Sequence, residues 1–503
     1  MFGKDDISQL SGYRNSINSG TEYLRASVTS KIYSGDSLLE QKLTQMQLYW
    51  KYYNNQHWAS NNDKLLSFNY VRAIIDKVIN FMVGKDGFEV NVEDTYGDTI
   101  STEFEKFYEG VLSYNWNRNN KKVLLQKLLQ MGSICGDAYI FLYPNISKGY
   151  IEYILLDSRV TYPLFKNGNQ NEVIGYRVVK VLGKNQQEYV QKVTEYTETA
   201  ITSYYTKGTG ADAEKYEVNS QENVLKTLPI VHFENIPMAD NYGGKSDMED
   251  ILKINKVYNE MAEDIKNIID YYAAPTTIVT GGTIGQLQKG VNQIWSGLPS
   301  DANVFNLGLG EDLGASNEFL RLLKNAMHDL SGVPEEVLSK VQHISNTSAS
   351  ALQMLYQPII QVSDKKGVSY GEGIKELHRK TLILYHKILK NHPLYVKLSN
   401  TEEYSSYFST TESNESKSEE VFYERYITDI VWKYNLPNDR MSVLNEAQIE
   451  LSQKIASRKE IMERLGKRCI PKLLEQIEED VKENIQNERE LNSIKQTESS
   501  ENQ

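Results

Sequence analysis

The stretch 246–389 constrains the fold more than any other part of the chain, because it demands two long helices around a Gly- and Pro-broken middle. The first helix opens on Ser246-Asp247-Met248-Glu249, a capping-box pattern in which hydroxyl and carboxylate satisfy each other's free backbone N–H groups. Ile251, Ile254, Tyr258, Met261, Ile265, Ile268 and Tyr272 then recur at steps of three and four. That is one apolar stripe down a helix of about 40 Å at 1.5 Å per residue. The middle, 273–316, holds strand-like Thr276-Thr277-Ile278-Val279-Thr280 and Asn303-Val304-Phe305, and a short helix is predicted over 317–330. The loop His343-Ile344-Ser345-Asn346-Thr347-Ser348 carries no carboxylate and leads into the second long helix, 349–390. Pro358 removes one of its backbone hydrogen bonds and predicts a kink. Gly367, Gly371 and Gly373 cost helix stability, which points to close packing against another backbone. No catalytic residue sits in this stretch; it reads as a mechanical element holding a small polar loop in a fixed place.

Upstream, Val71, Ile74, Ile75, Val78, Ile79 and Met82 predict a helix over 70–83, ended by Gly84. Further helices are expected near 101–115 and 119–134. Strands are expected at 138–143, 150–156, 172–182, 187–195 and 200–206, with turns at Asn167-Gly168-Asn169 and Lys207-Gly208-Thr209-Gly210. Helices first and strands after give an α+β order, mostly helical, with a largely antiparallel layer over 135–236. Downstream, 401–420 is a polar loop and 427–432 a strand. Helices follow at 439–456, 458–465 and 471–493, and 494–503 is expected to be disordered.

At 503 residues the chain should divide into about two to four structural units. A net charge of −12 argues against a nucleic-acid clamp, which needs clustered Lys and Arg. It permits a surface that DNA passes without sticking. Mean hydropathy is −0.52. No apolar run approaches the roughly 18 residues of a membrane helix. The start, Met1-Phe2-Gly3-Lys4-Asp5-Asp6, has no apolar signal core, so no secretion is expected. The two cysteines, Cys135 and Cys469, lie far apart and suit a reducing compartment.

One motif suggests chemistry. Ala239-Asp240-Asn241-Tyr242-Gly243-Gly244-Lys245-Ser246 fits a relaxed phosphate-loop spacing before a helix. A phosphate loop needs a strand directly before it and an acidic metal partner on a later strand. Here Ile230-Val231-His232-Phe233 is separated from the loop by five residues, and the only matching acidic strand, Tyr153-Ile154-Leu155-Leu156-Asp157, comes earlier. A loop followed by a helix cap, with Ser246 and Glu249 as cap residues, is the plainer reading. The seven histidines form no metal pattern. Glu311-Asp312 reads as a turn and Glu478-Glu479-Asp480 as a solvated helix face. No serine or cysteine has a histidine in a recognisable nucleophilic arrangement. The loop 342–348 is either an ordinary helix connection or a polar finger offered to a partner; the residues leave both open.

Several segments resemble the portal, or head–tail connector, proteins of tailed double-stranded-DNA phages. They are Asn69 to Gly84, Gly136-Asp137-Ala138-Tyr139-Ile140, Leu156 to Pro163, and Gly244-Lys245-Ser246-Asp247-Met248-Glu249-Asp250 with Tyr258-Asn259. Gly332-Val333-Pro334, Asn346 to Leu352, Val431 to Pro437, Ile455-Ala456-Ser457-Arg458 and Met462-Glu463-Arg464-Leu465-Gly466 follow in the family's order. The resemblance implies a phage portal fold with crown, wing, stem and clip around a central channel. It implies a wing over 1–245, a first stem helix over 246–272, a clip over 273–316 and a second stem helix over 317–341. A tunnel loop over 342–348, a long kinked wing helix and strand over 349–432, and crown helices over 433–493 complete it. It further implies a non-enzymatic homo-oligomeric ring, usually of twelve, at one capsid vertex of the virion, assembled in the host cytoplasm. The implied partners are double-stranded DNA in the channel, the packaging motor (terminase), the head–tail connector, and major capsid and scaffolding proteins, with no cofactor and no membrane. Lys340, Gln342, His343, Asn346, Thr347 and Ser348 would line the channel. Gln286, Gln288, Lys289 and Asn292 would meet the motor and connector. The competing readings are a nucleotide-binding motor subunit, through Gly244-Lys245-Ser246, and a monomeric capsid-associated adaptor.

Overall fold

The computed structural model describes residues 37–56, 66–84, 87–94, 102–166, 169–185, 188–207, 214–223, 225–239, 242–273, 277–281, 302–306, 314–335, 349–388, 426–434 and 440–464, with 473, 474, 476 and 477. The chain forms two units: 1–342 with 356–435, and 343–355 with 436–503.

The first helices among the described residues of the larger unit are α1 (Ser37–Tyr53), α2 (Tyr70–Val83), α3 (Thr102–Arg118) and α4 (Lys121–Cys135). Asn69 starts α2: its side-chain oxygen accepts the Arg72 N–H at 3.0 Å, while its amide donates to the Tyr52 and Tyr53 carbonyls at the end of α1. One side chain thus satisfies orphan groups on two helices. The six apolar positions expected to form the buried stripe of α2 are all buried. Phe81, outside that stripe, is buried too, because its ring stacks on Tyr434 at 5.3 Å and Tyr356 at 6.2 Å. The helix therefore packs on two sides, not one.

Strand β1 (Phe88–Asp94) pairs antiparallel with β12 (Tyr426–Trp432), from Phe88 opposite Trp432 to Asp94 opposite Tyr426. Strand β2 (Asp137–Asn145) is buried along its whole length and lies central in a three-stranded sheet. Its antiparallel neighbours are β3 (Tyr150–Leu156) and β9 (Ile230–Glu234). The second sheet runs β4 (Thr161–Lys166), β5 (Asn169–Asn185), β6 (Glu188–Thr197), β7 (Ala200–Lys207) and β8 (Glu214–Glu222), every pair antiparallel. Leu43 of α1 joins Val160, Tyr162, Val179, Val193 and Tyr204 in a buried cluster on this sheet. The expected β layer is thus two sheets, and β4, β8 and β9 are additions to the expected strands.

Helix α5 (Met248–Ala273) packs along α6 (Gly314–Ser331). Between them β10 (Thr277–Thr280) pairs antiparallel with β11 (Asn303–Asn306), Thr277 opposite Asn306. The excursion therefore leaves and returns at one end of the helix pair, and α5 and α6 run antiparallel. Buried Asn255 and Asn259 on α5 accept the Tyr70 and Phe68 N–H groups, at 3.2 and 2.7 Å. Helix α7 (Ala349–Ile388) continues through Pro358 as one assigned helix. A Cβ at Gly373 would sit 2.4 Å from the Phe233 ring, and one at Gly367 3.0 Å from the Trp432 indole. Gly371 departs from the expected close packing: nothing lies within 4 Å of a Cβ there.

In the smaller unit, α8 (Arg440–Ser452) and α9 (Arg458–Arg464) are joined by a turn in which Lys454 has φ +57°. Ala447 and Ile461 are buried, while Leu444, Ile449 and Leu451 on α8 are exposed.

Candidate functional site

The glycine loop 243–246 closes onto the end of α4. Gly136 has φ +86°, and a Cβ there would lie 2.2 Å from the Gly244 carbonyl oxygen, so the two backbones touch. The Gly244 N–H donates to Asp137 Oδ1 at 2.8 Å. The Asp137 carboxylate also contacts His232 Nε2 at 2.9 Å and forms an ion pair with Lys42. Burial pushes the Asp137 carboxyl up, but the His232 hydrogen bond and the Lys42 charge outweigh it and hold its pKa below the ordinary value. The His232 ring is sandwiched between Tyr139 and Tyr242, at 4.9 and 4.8 Å between centroids. In a phosphate loop the glycine N–H groups and the lysine would face an anionic ligand. Here Gly244 faces the chain's own carboxylate, and Lys245 Nζ sits 2.8 Å from both Asp250 carboxylate oxygens.

Beside it lies a second buried ionic group. Lys366 of α7 is 1% exposed, and its Nζ bonds to the Asp247 carboxylate and to Ser133 Oγ at 2.9 Å. Asn235 donates to Asp247 Oδ1 at 2.8 Å and to the Lys245 carbonyl at 3.0 Å, and its Oδ1 accepts the Tyr370 hydroxyl at 3.2 Å. Ser246 Oγ accepts the Met248 N–H at 3.1 Å and points its own proton at the Ile134 carbonyl, 2.7 Å away. The Asp247 N–H donates to the Ser133 carbonyl at 3.0 Å. The Ser133 and Ile134 carbonyls in the last turn of α4 are therefore satisfied by the residues that start α5. Glu249 lines a cavity of about 300 Å³ together with Lys42, Asp137 and Tyr242. What this arrangement does is mechanical. It fixes the direction in which α5 leaves the sheet, using buried charge as an orienting device.

A third buried polar group ties α3, α7 and β12 together. Trp116 Nε1 donates to His378 Nε2 at 2.7 Å, so His378 Nδ1 carries the proton and donates to Thr428 Oγ1 at 3.3 Å. Burial pushes the His378 pKa down to about 3.

Ser246 and Glu249 thus sit at the start of α5. Lys340, Gln342, His343, Asn346, Thr347 and Ser348 lie outside the described residues, as do Gln286, Gln288, Lys289 and Asn292. Among the described residues no group of three or more His, Cys, Asp or Glu could hold a metal ion, and no helix is long and apolar enough to cross a membrane. Asp137, Asp247 and Lys366 were not singled out as site residues in the sequence. Gly136-Asp137 carries the one available signal, a glycine that allows close backbone approach next to an acid at the start of an apolar strand.

The family model described as "Phage portal protein, SPP1 Gp6-like" matches residues 36–490. The chain belongs to this family. Two solved structures are similar to this portal-family chain. One, from the neck of an empty GTA particle computed with C6 symmetry, is 11% identical, covering 89% of this chain and 98% of that one with a TM-score of 0.44. The other, from the neck of a native GTA particle computed with C12 symmetry, is 13% identical, covering 69% and 80% with a TM-score of 0.36. No curated protein matches the chain in sequence. Portal-family membership and the mixture of helices and antiparallel sheets fit the α+β class.

Proposed function

We propose that this portal-family chain is the subunit of a closed ring at one capsid vertex, a structural and not an enzymatic component, through which DNA enters and leaves the head. The reading rests on the family match, which spans both sheets, both long helices and the last helices in one run. In it, α5 and α6 form the stem, the excursion 273–316 the clip that meets motor and connector, the sheets the wing, and 433–493 the crown. Capsid and scaffolding proteins would contact the outside of the ring. Identical copies joined head to tail close a ring when each rotation is a fixed fraction of a turn. The engagement of Gly244 by Asp137 and of Lys245 by Asp250 disfavours a nucleotide-driven motor. Negative-stain micrographs of the purified chain should show rings with a central opening and no ATP requirement. Saturable ATP binding abolished by Lys245→Ala would favour the motor.

The loop 342–348 is assigned to the narrowest part of the channel. DNA must pass it in many registers, so hydroxyls and amides with replaceable contacts suit it better than bidentate base readers, each worth about 1–3 kcal/mol. A carboxylate there would repel phosphate. Asn346→Glu should slow packaging in a reconstituted reaction while ring yield stays at the wild-type level; unchanged packaging would move the loop elsewhere.

A further inference from the structure

We propose that the free edge of β3 takes an extended acidic segment of another protein, which joins the three-stranded sheet as a further strand. The inference does not depend on how copies of this chain assemble.

Strand β3 is the outer strand of its sheet, with β2 on one side only. Alternate residues of an edge strand present both N–H and C=O to whatever lies beside them. On β3 these are residues 151, 153 and 155. Side chains close the first part of the edge. The Ile151 N–H donates to Asn115 Oδ1 at 2.9 Å. Asn119 accepts the Tyr153 N–H and gives its own amide to the Ile151 carbonyl, both at 2.8 Å, so it imitates a neighbouring strand. The imitation stops there. Leu155 faces the same way, and among the described residues nothing bonds to its N–H, its C=O or the Tyr153 C=O. An acceptor, a donor and an acceptor remain, in strand order.

Tyr153 and Leu155 line a cleft of about 900 Å³ between β3, α4 and the end of α1. Trp50, Val123 and Leu124 give it apolar walls, and Val123 is half exposed. The cations of the cleft are Arg118, Lys127 and Arg159, its carboxylates Glu152 and Asp157. Asp157 is engaged by Arg159 at 2.6 Å, and Glu152 accepts from Asn145 at 3.4 Å. Arg118 rests over the Tyr114 and Tyr150 rings, at 5.8 and 5.6 Å. Neither it nor Lys127 has a carboxylate partner among the described residues. In a chain of net charge −12 this cleft is locally positive, which suits acidic side chains. A small anion would meet the cations and leave the strand edge bare. A nucleic-acid backbone brings acceptors only, whereas the Tyr153 and Leu155 carbonyls need donors. A polypeptide strand supplies donor, acceptor and donor at the matching spacing, with alternate side chains for the apolar walls and the cations.

The probe is a short, end-blocked, fluorescent peptide alternating Val and Glu, titrated with the full chain and followed by anisotropy. It should bind saturably, one peptide per chain, and more weakly as salt rises. Replacing its backbone N–H groups by N-methyl should weaken binding about tenfold or more, because the strand hydrogen bonds are lost. Arg118→Glu combined with Lys127→Glu changes two exposed side chains and should melt like the wild type. That variant should lose the Val/Glu peptide about tenfold or more and prefer a Val/Lys peptide. No saturable binding would overturn the proposal, as would equal binding of the methylated peptide or of the doubly substituted chain. Full displacement by inorganic phosphate would reduce the cleft to a small-anion site. Displacement by a single-stranded oligonucleotide at lower concentration than by unlabelled peptide would assign it to nucleic acid instead.

Discussion

The start of α5 and the flanks of the α5–α6 hairpin use the same residue types in opposite ways. At the start, charge is inside: Asp137 and Lys366 are each 1% exposed and each is held by several partners from distant parts of the chain. Along the flanks, apolar side chains are outside, and the ion pairs are short-range ones within a helix, such as Lys256–Glu260 and Arg321–Glu318. Buried ion pairs contribute little net stability but fix geometry, because breaking one leaves a charge stranded. Exposed in-helix pairs contribute a few tenths of a kcal/mol and fix nothing. The first region ties the start of the long helix to α4, β2 and α7 through buried charge; the second lies exposed.

The contrast breaks hardest at Lys366. Lys366→Ala should cost about 3–5 kcal/mol in denaturant unfolding by stranding Asp247, whereas Leu322→Asp on the flank should leave stability within about 0.5 kcal/mol. Lys366→Met combined with Asp247→Asn should recover most of the loss, because no unpaired charge remains. Equal stability of Lys366→Ala and wild type would remove the orienting role.

Acid should weaken the buried polar groups and spare the flanks. Between pH 6.5 and about 3 the unfolded chain takes up a proton at His378 that the folded chain refuses, so stability falls as pH drops through that window. At about 1.4 kcal/mol per unit of pKa difference the loss approaches about 3 kcal/mol by pH 4. The depressed Asp137 carboxyl acts in the same sense, losing its contribution as pH falls towards its folded value. His378→Gln should flatten the slope between pH 6.5 and 4 in unfolding titrations; an unchanged slope would place its origin elsewhere.

The glycines of α7 make a finer comparison inside one helix. Gly373→Ala should destabilise by about 1–3 kcal/mol because its methyl would enter the Phe233 ring. Gly371→Ala meets open space and should stabilise by about 0.5–1 kcal/mol. Opposite signs in thermal melts check the assignment. Ser246→Ala is a change of similar size, about 1 kcal/mol for the lost cap, with ring formation intact.

The helices were legible because their burial follows a local period. The stripes of α2 and α5 needed no knowledge of what covers them. The buried charges were not legible, since the partners of Asp137 and Lys366 lie 95 and 119 residues away and no short pattern encodes them. Lys366 follows Asp364-Lys365, which in sequence is an ordinary solvated run. Strand β8, Glu214–Glu222, leaves no strand signal in the sequence because it is a polar, exposed edge without apolar alternation. Phe81 lies outside the apolar stripe of α2, and its cover, Tyr434, comes from a segment distant in sequence. Of the cap pair, Ser246 showed through as an N-terminal signal, but its second hydrogen bond, to the Ile134 carbonyl, depends on tertiary contact.

The central claim is that identical copies of this chain close into a ring, and the mass of the purified full-length protein in solution tests it most directly. The account predicts a discrete particle of about a dozen chains that persists on dilution and without nucleotide. A single species at the 57.7 kDa of one chain, at every concentration, would contradict it.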